Sequence, residues 1–472
     1  YNPNATEADP SNPCVYPANV GCMDDTATNY DPDAEEPCDD CCEYPPNVGC
    51  MDNTATNYDP DATEACKDCC EYAVMPDSYV FMREGLSTVD YPGQICRVNQ
   101  AVQLMDIEFK NPANSASMLN DMIQNGFAIS VCTDQNIGYK IAAADGYDEV
   151  GGAIFQGWMT NIVNDLATNV FPTWDSPASV GVAGVIGGRH VNAHGLEPNQ
   201  AFTKGLIGAM CLDQITNKYT QPAYISSQDN TPTMGGGYTT MEHKWDEGFG
   251  YLFGMDQLAN VSGLSYSASG DVLLLKYAYK IGDNIVEDLY DLFIEGRHAI
   301  VIGDYATRDA AALEIKSILD GIVMQKSVDY LRGGAQGLTD AMNCVEDDAG
   351  ALTVAQGFNP SFSGGCAEAV PYFINAGYTC DTDLGVLGIP GISGTITDMC
   401  GCSCNYDTAW ADILHDLSEG YGFVLSLQFT DAFTHDDVVS MKATLDNDGG
   451  NGFWDIDPAA LTEMADMIEA AM

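Results

Sequence analysis

The chain has 472 residues, of which 69 are acidic and 17 are basic, so its formal net charge at pH 7 is −52. This charge excludes nucleic acids and anionic membrane surfaces as partners, because both would repel the protein. It favours cations as ligands and suits a high-salt exterior, where salt screens charges beyond ~10 Å. The hydrophobic content of 46% is enough for a large core plus one or two accessory modules.

The 18 cysteines are mostly clustered, which indicates an oxidising compartment. No stretch approaches the ~20 apolar residues that span a bilayer, and no signal peptide is recognisable. We therefore expect a processed chain that is secreted or displayed on a cell surface. Asn4 and Asn260 each begin an Asn-x-Ser/Thr triplet, which is the acceptor for N-glycosylation in a eukaryotic source.

Residues 1–74 predict a stalk of acidic, cysteine-rich repeats. Asn19–Ala34 (NVGCMDDTATNYDPDA) recurs as Asn47–Ala62 (NVGCMDNTATNYDPDA), and Tyr1–Ala5 matches the tail of the motif, so we expect the chain to begin inside a third unit. A unit this short buries almost no core, and we therefore expect each full unit to close with two internal disulfides. The cysteines concerned are Cys22, Cys38, Cys41, Cys42, Cys50, Cys66, Cys69 and Cys70.

Each repeat also places oxygen-bearing side chains at alternate positions, which is the spacing of calcium loops. The residues are Asn29, Asp31 and Asp33, and then Asn57, Asp59 and Asp61. A turn built from Asn, Asp and Pro is the alternative, since the downstream Gly and Glu of an EF-hand are missing. The segments resemble the short G-C-x-D-x-x-A-x-N-Y-x-P-x-A repeats of large surface proteins of marine microbes. That resemblance implies a spacer, and contacts of the chain with itself or with other surface proteins.

From about residue 75 the apolar residues recur at i, i+3 and i+4, which predicts helices. Strand signals are sparse and short, at Ala128–Val131 and Val180–Val185. We therefore predict an all-α helical bundle for 75–343 and 405–472. The predicted helices are Ile95–Phe109, Ser115–Gln124, Gly157–Thr168, Asn199–Tyr219, Tyr238–Leu252, Asp271–Ile302, Thr307–Leu331, Thr408–Phe429, Asp436–Asp446 and Pro458–Met472.

Residues 344–404 interrupt the bundle, because the helical period disappears there and Gly, Pro and Thr become frequent. We predict a small inserted module with three internal disulfides of open connectivity. Its cysteines are Cys344, Cys366, Cys380, Cys400, Cys402 and Cys404. Of the others, Cys96 and Cys132 are candidates to pair, and Cys211 is predicted to be a buried free thiol.

The stretch Thr239–Tyr251 (TTMEHKWDEGFGY) concentrates the side chains best suited to bind a metal. On a helix, one imidazole and three carboxylates share the arc opposite the apolar face within about two turns. Hard cations such as ferric iron or calcium take oxygen ligands of this kind. The predicted ligands are Glu242, His243, Asp246 and Glu247, joined by Glu197 from a second helix that has close-packing glycines. The alternative is an acidic face that is merely hydrated.

Several ordered motifs resemble an imelysin-like bacterial surface-protein family of unknown function. They are F-M-R-E-G-L-S-T-V-D-Y-P-G-Q-I-C-R (81–97), G-L-E-P-N-Q-A-F-T-K-G-L-I-G-A (195–209), M-E-H-K-W-D-E-G-F-G-Y (241–251) and A-T-R-D-A-A (306–311). The resemblance implies an imelysin-like bundle over roughly 76–343 and 405–472 and a link to iron acquisition. The opening motif is also similar to algal phytotransferrins, which bind ferric iron. One departure is Lys244, where the family has a second histidine.

The motifs of common catalytic sites are missing from the sequence. It holds no His-Glu-x-x-His, no Gly-x-Ser-x-Gly and no phosphate loop, and the glycines around His190 and His194 favour a loop over a helical metal chelate. We therefore expect a non-catalytic, extracellular binding protein for a metal ion, with ferric iron or an iron complex as the ligand and calcium as a further candidate. The alternative is a structural or adhesive protein, such as a filament or surface-layer subunit. A peptidase is a further alternative, because imelysin-like proteins were once labelled peptidases.

Overall fold

The computed structural model describes residues 3–4, 6–7, 10–11, 17–52, 55, 58–72, 74–129, 135–144, 149–232, 236–255, 273–387 and 393–472, with backbone alone at 149–151. It divides into two compact units. One consists of Tyr1–Val74 with Val301–Gly303, and the other of Met75–Ile300 with Asp304–Met472.

The first unit contains two short parallel strand pairs, each inside one cysteine-rich segment. Strand β1 (Val20–Gly21) pairs with β2 (Glu36–Pro37), and β3 (Val48–Gly49) pairs with β4 (Glu64–Ala65). Disulfides close each segment on itself. The bonds are Cys22–Cys42 and Cys38–Cys41, then Cys50–Cys70 and Cys66–Cys69. Covalent closure thus takes the place of an apolar core in segments that have few buried side chains.

The second unit is predominantly helical, as the periodicity predicts, and its described strands are two short antiparallel hairpins. The helices are α1 Pro92–Asp106, α2 Ala116–Asn125, α3 Glu149–Asp165, α4 Pro198–Leu206, α5 Pro222–Ser226, α6 Thr240–Phe253, α7 Leu273–Ile281, α8 Asp283–Ile302, α9 Tyr305–Asn343, α10 Asp348–Phe358, α11 Cys366–Asn375, α12 Ile396–Met399, α13 Gly401–Ser426, α14 His435–Asp446 and α15 Pro458–Glu469. The hairpins pair β5 Met82–Arg83 with β6 Leu86–Ser87, and β7 Gly184–Ile186 with β8 Arg189–Val191.

Several predicted elements change their bounds or character. The predicted helix Asn199–Tyr219 is α4 followed by two π-helical segments, Ile207–Leu212 and Ile215–Tyr219. The predicted helix Asp271–Ile302 is divided into α7 and α8 at Gly282, and the helix predicted to end at Leu331 continues to Asn343. Of the predicted strand Val180–Val185, only Gly184 and Val185 are in β7, and Ala128–Val131 lies partly outside the described residues.

The prediction that residues 344–404 lack helices is wrong, because α10, α11 and α12 lie there around a small core of their own. Three disulfides join the segment: Cys344–Cys402, Cys366–Cys400 and Cys380–Cys404. Cys402 and Cys404 belong to the first turn of α13, a helix of the main bundle. All three disulfides are therefore internal to 344–404, as predicted, and two of them also tie the segment to the start of α13.

Helix α13 is central to the bundle, where it packs against both α4 and α9. Glycines allow α13 to approach closely both α4 and the π-helical segment that follows it. A Cβ on Gly208 would lie 2.3 Å from the Cβ of Ser426, and a Cβ on Gly422 would lie 2.5 Å from the Cβ of Lys204. The close approach brings polar side chains of the two helices into direct contact in the interior.

Cys211 is a buried free thiol, as predicted, and burial raises its pKa to about 12. Cys96 is disulfide-bonded. Its predicted partner Cys132 lies outside the described residues.

Candidate functional site

Helix α6 buries two of the predicted metal ligands completely, and each is held by arginine. The carboxylate of Asp246 accepts hydrogen bonds from Arg297 Nε at 2.9 Å and from the Tyr79 hydroxyl at 2.8 Å. The same guanidinium donates from Nη1 to Glu242 at 3.0 Å. All three charged side chains are fully buried, so one guanidinium bridges two carboxylates in the core.

Glu242 has a second cation and a capping role. Arg83, at the rim of the network, donates to its two oxygens at 2.7 and 3.0 Å. The carboxylate also accepts from the backbone N–H of Thr239 at 2.7 Å, which completes a capping box at the start of α6. These bonds occupy both oxygens of Glu242, so this side chain stabilises the helix start and the core.

The pKa values of the two carboxyl groups reflect burial opposed by arginine. Burial raises the pKa of Glu242, but Arg297 and Arg83 outweigh it and leave the pKa lowered. For Asp246, burial is stronger than the opposing effects of Arg297 and Tyr79, and its pKa is raised to about 6. Both groups are therefore ionised at pH 7. Arginine serves as their counter-ion, a role that we expected a metal ion to fill.

The other two α6 candidates, His243 and Glu247, lie on a half-buried face of the helix. Nε2 of His243 is 3.6 Å from Glu247, whose other oxygen is bonded to Lys244 at 2.8 Å. The imidazole stacks on Tyr238, with 4.6 Å between ring centroids. Lys244 thus neutralises Glu247.

Glu197 belongs to a different site, so the predicted convergence of its helix with the acidic arc of α6 is wrong. It directly precedes α4 and accepts a hydrogen bond from Nδ1 of His415 at 2.9 Å. Arg189 approaches the same oxygen at 3.9 Å. The sequence could not place Glu197, because its partner is 218 residues away.

His415 links the carboxylates of Glu197 and Glu419 in a buried charged network between α4 and α13. Its Nε2 lies 3.3 Å from Glu419, which is bonded in turn to Lys204 at 2.7 Å. Burial lowers the pKa of His415, but hydrogen bonds to Glu197 and Glu419 outweigh it and raise the pKa to about 9. The same contacts, with Lys204, hold the pKa of Glu419 well below its usual range despite burial. His415 is therefore cationic at neutral pH.

His415 and its charged neighbours line a cleft with a volume of about 550 Å³. The cleft is bordered by α1, α4, α7 and α13. Its ionisable lining includes Lys110, Arg189, Lys204, Lys276, His415 and Glu419. A second chamber of about 250 Å³ shares Lys110 and Arg189 with the first and contains Glu197. Lys276 is exposed and forms no ion pair with a described residue.

The histidine pair His190 and His194 does not form a chelate in the part of the chain that the structure describes. His190 is in β8 and stacks on Trp174 with 3.4 Å between ring centroids, at the edge of the second chamber. Burial lowers its pKa, so the ring is neutral at pH 7. His194 lies in the turn after β8, and the helical spacing of the two residues has no structural counterpart.

Within the described ranges, one group of three potential metal-ligating side chains converges, and it was not predicted. Ligand atoms of Glu346, Asp348 and Cys366 lie within 4.8 Å of one another. The sulfur of Cys366 is bonded to Cys400, so it offers no thiolate. Glu346 is hydrogen-bonded to Ser403, and this group accordingly carries no argument for a metal site.

In the cysteine-rich unit, the predicted calcium ligands act as turn residues. Asp31 accepts hydrogen bonds from the side chain of Asn19 at 3.1 Å and from the backbone N–H of Asp33 at 3.0 Å. Asn29 bonds to the backbone of residues 41 and 43. Asp59 makes the corresponding bonds to Asn47 and to the N–H of Asp61. These contacts favour the turn interpretation over a calcium loop.

Asn57 and Asn260, predicted as a calcium ligand and a glycosylation acceptor, lie outside the described residues. Asn4 is described and exposed.

His415 is not among the predicted site residues, although the sequence contains a signal for it. His415 and Glu419 have the same i, i+4 spacing as His243 and Glu247, which places both side chains on one helix face. The spacing could have identified the pair. It could not have identified Lys204 or Arg189 as their neighbours.

The charge of His415 gives a testable pH dependence. A histidine whose folded pKa is raised stabilises the fold fully below its unfolded pKa of ~6.5, and this contribution is lost as pH rises through the folded value. We expect the difference in unfolding free energy between the native chain and His415→Gln to shrink between pH 6.5 and about 9. Urea denaturation at fixed pH values measures it.

His298→Gln is the matched control, because burial lowers the pKa of His298 and leaves the ring neutral over the same range. Its effect on the unfolding free energy should stay constant above pH 6.5. A constant difference for His415→Gln as well would contradict the charged state of His415.

Comparison with known proteins identifies a family without a described function. A family model described as a domain of unknown function, DUF4856, matches residues 76–365 and 400–472. The match leaves out 366–399, which is the part of the inserted segment that carries α11 and α12. No curated protein and no solved structure matches the chain. The match covers most of the sequence, and the chain therefore belongs to the DUF4856 family.

Proposed function

We propose that this protein is a non-catalytic binding protein that takes a small anionic ligand in the cleft between α4, α7 and α13. The observation that supports the proposal is the concentration of positive charge there. Lys110, Arg189, Lys204 and Lys276 are four of only 17 basic residues in a chain of net charge −52, and they line one cleft. Protonated His415 adds a fifth positive charge.

The charge balance of the cleft decides which form of ligand fits. Lys204 is neutralised by Glu419, and Lys110 forms a pair with Asp106 at 3.3 Å. Lys276 has no ionic partner among the described residues, and Arg189 is 3.9 Å from its nearest carboxylate. An ammonium and a guanidinium thus face the cavity with capacity to bind an anion, and a bare metal cation would be repelled.

The expectation of iron therefore becomes an expectation of an iron complex. A ferric ion carried by a polycarboxylate presents carboxylate oxygens at its surface, and these can pair with Lys276 and Arg189. The cleft of about 550 Å³ is large enough for a ligand of this size. The imelysin-like resemblance and its link to iron acquisition favour the same ligand class.

The proposed location is outside the cell. The disulfides indicate an oxidising compartment, and in the described part of the chain no helix is long and apolar enough to cross a membrane. We propose that the cysteine-rich unit acts as a spacer for the helical unit.

Isothermal titration calorimetry with three probes tests the proposed ligand. The probes are ferric citrate, citrate alone, and ferric nitrilotriacetate as a donor of the metal. We expect saturable binding of ferric citrate, weakened about tenfold or more in Lys276→Met and Arg189→Met, since each loses a charged hydrogen bond. Binding of citrate with equal affinity would keep the anion site and remove iron from the proposal.

Lys442→Met is the control for these variants, because it removes the same charge from a pair with Asp446 on α14. It should leave the affinity unchanged. The proposal fails when no anion binds, or when Lys276→Met and Arg189→Met bind as the native chain does.

A structural or adhesive role is the second candidate, and one feature of the first unit favours it. Large apolar side chains are exposed to the same extent at equivalent positions of the two segments: Met23 at 51% and Met51 at 52%, and Tyr44 and Tyr72 at 56%. Sedimentation velocity at increasing protein concentration distinguishes the roles. Concentration-dependent polymers without bound ligand would favour the structural role.

A further inference from the structure

A second group of cations surrounds Tyr219, at the end of the π-helical segment before α5. Three ammonium groups lie within 6 Å of its ring centroid: Lys140 at 5.4 Å, Lys244 at 5.7 Å and Lys218 at 5.9 Å. They come from separate parts of the chain. The fold therefore gathers scarce positive charge at a second point, around a phenol that is only 2% exposed.

The surroundings of the Lys140 ammonium are electrostatically unfavourable. The side chain is buried, and burial lowers its pKa to about 8 with help from Arg97, Lys218 and Lys244. Glu247 attracts the ammonium, but this carboxylate is already paired with Lys244 at 2.8 Å. Buried like charges destabilise one another unless an opposite charge is bound among them.

The hydrogen bonds around Tyr219 leave a place for a ligand that accepts a hydrogen bond. Nζ of Lys140 donates to the hydroxyl of Tyr219 at 2.9 Å. An ammonium has donors alone, so the phenol oxygen accepts this bond and its own hydrogen remains to be donated. Among the described residues, no acceptor for that hydrogen is present.

Tyr251 lies beside Tyr219, with 6.1 Å between the two ring centroids, and its hydroxyl also lacks an acceptor. Its hydroxyl is buried, and no described residue accepts its hydrogen. Arg97 is the hydrogen-bonding neighbour of the phenol oxygen, and a guanidinium has donors alone, so it cannot accept that hydrogen. A buried donor without an acceptor costs about 1–3 kcal/mol, which a bound acceptor would offset.

We propose that Lys140, Tyr219 and Tyr251 form the floor of a binding site for a small oxyanion, with Arg97, Lys218 and Lys244 at its rim. An oxyanion supplies the acceptors that the two phenols and the ammonium require. It also supplies a negative charge to the buried ammonium of Lys140, which forms no ion pair with a described residue. Phosphate and sulfate represent the class, and the site is separate from the cleft that contains His415.

The test is calorimetric titration with sodium phosphate and with sodium sulfate, at an ionic strength held constant with sodium chloride. We expect binding to the native chain and at least about a tenfold loss of affinity in Lys140→Met and Tyr251→Phe, because each removes a donor to a charged acceptor. Without oxyanion, Lys140→Met should melt at the same or a higher temperature than the native chain, since it relieves repulsion.

Tyr421→Phe is the matched control, because this buried phenol already donates to Asp446 at 2.9 Å. It should melt at a lower temperature and keep the oxyanion affinity. Lys276→Met, in the cleft, should keep it also. The proposal is overturned when neither oxyanion binds, or when Lys140→Met and Tyr251→Phe bind as tightly as the native chain. Loss of binding in Lys276→Met alone would assign the oxyanion to the cleft, which leaves the proposed function intact.

Discussion

Replacing Arg297 with methionine is expected to lower the free energy of unfolding by about 3–5 kcal/mol, because it removes one partner of a buried ionic network. Methionine fills much of the space of the arginine stem. The variant leaves Asp246 without a cation and Glu242 with Arg83 alone, and both carboxylates are fully buried. Urea denaturation followed by far-UV circular dichroism measures the loss.

The loss should depend strongly on pH. In the variant, a buried carboxyl group without a cation has a folded pKa above its unfolded value, so the folded chain binds the extra proton. Stability of the variant then falls as pH rises above ~4, by at most about 1.4 kcal/mol per pH unit for each such group. In the native chain the pKa of Asp246 is about 6. We therefore expect the difference between native chain and variant to be larger at pH 8 than at pH 5.

Arg83→Met is the control on the same network. Arg83 is partly exposed, and without it Glu242 retains Arg297 and the N–H of Thr239. Its loss should be about 1–2 kcal/mol and nearly independent of pH. An Arg297→Met loss that is no larger, or that is equal at pH 5 and pH 8, would contradict the structural role assigned to this network.

The network shows how far the sequence determines a site. The spacing of Glu242 and Asp246 establishes that they share one helix face, and two buried carboxylates require a counter-ion. A metal and an arginine satisfy this requirement equally well. The choice depends on Arg297, which is 51 residues from Asp246 and comes into contact through packing of α8 on α6. Helical periodicity carries no information on such a pairing.

The basic cleft could not be predicted from the sequence for a related reason. Its charged residues come from β8, α4, α7 and α13, and the Glu197–His415 contact spans 218 residues. The net charge of −52 instead favoured cations as ligands of this protein. Local concentration of a few basic residues reverses that expectation inside one cleft.

Helix positions were predicted better than helix character. The apolar period identified the segments because burial of one face is a local property of the sequence. It did not reveal the π-helical turns after α4, where Gly208 packs on Ser426. Close approach of two backbones depends on the partner helix, and glycines alone indicate only that some such approach occurs.

The second large change in stability is expected at Gly296 on α8, which also lies where two helices approach closely. A Cβ at this position would lie 2.0 Å from Cζ2 of Trp245. The indole is fully buried, and its Nε1 donates to the carbonyl of Phe293 at 3.0 Å, so it cannot move away without breaking that bond. In a helix, Gly→Ala normally stabilises by about 1 kcal/mol. Here the clash should reverse the sign, and Gly296→Ala should destabilise by about 1–3 kcal/mol.

Gly321→Ala isolates the contact from helix propensity. Gly321 lies inside α9, and a Cβ there would meet no atom within 4 Å. We expect this variant to gain roughly 0.5–1 kcal/mol, so the two glycine substitutions should change the unfolding free energy in opposite directions. Urea denaturation of both variants, with the tryptophan fluorescence of the folded state as a second readout, measures the pair. Equal stabilisation by both substitutions would show that Trp245 accommodates the methyl group, and that α6 and α8 pack less tightly than their contact at Gly296 implies.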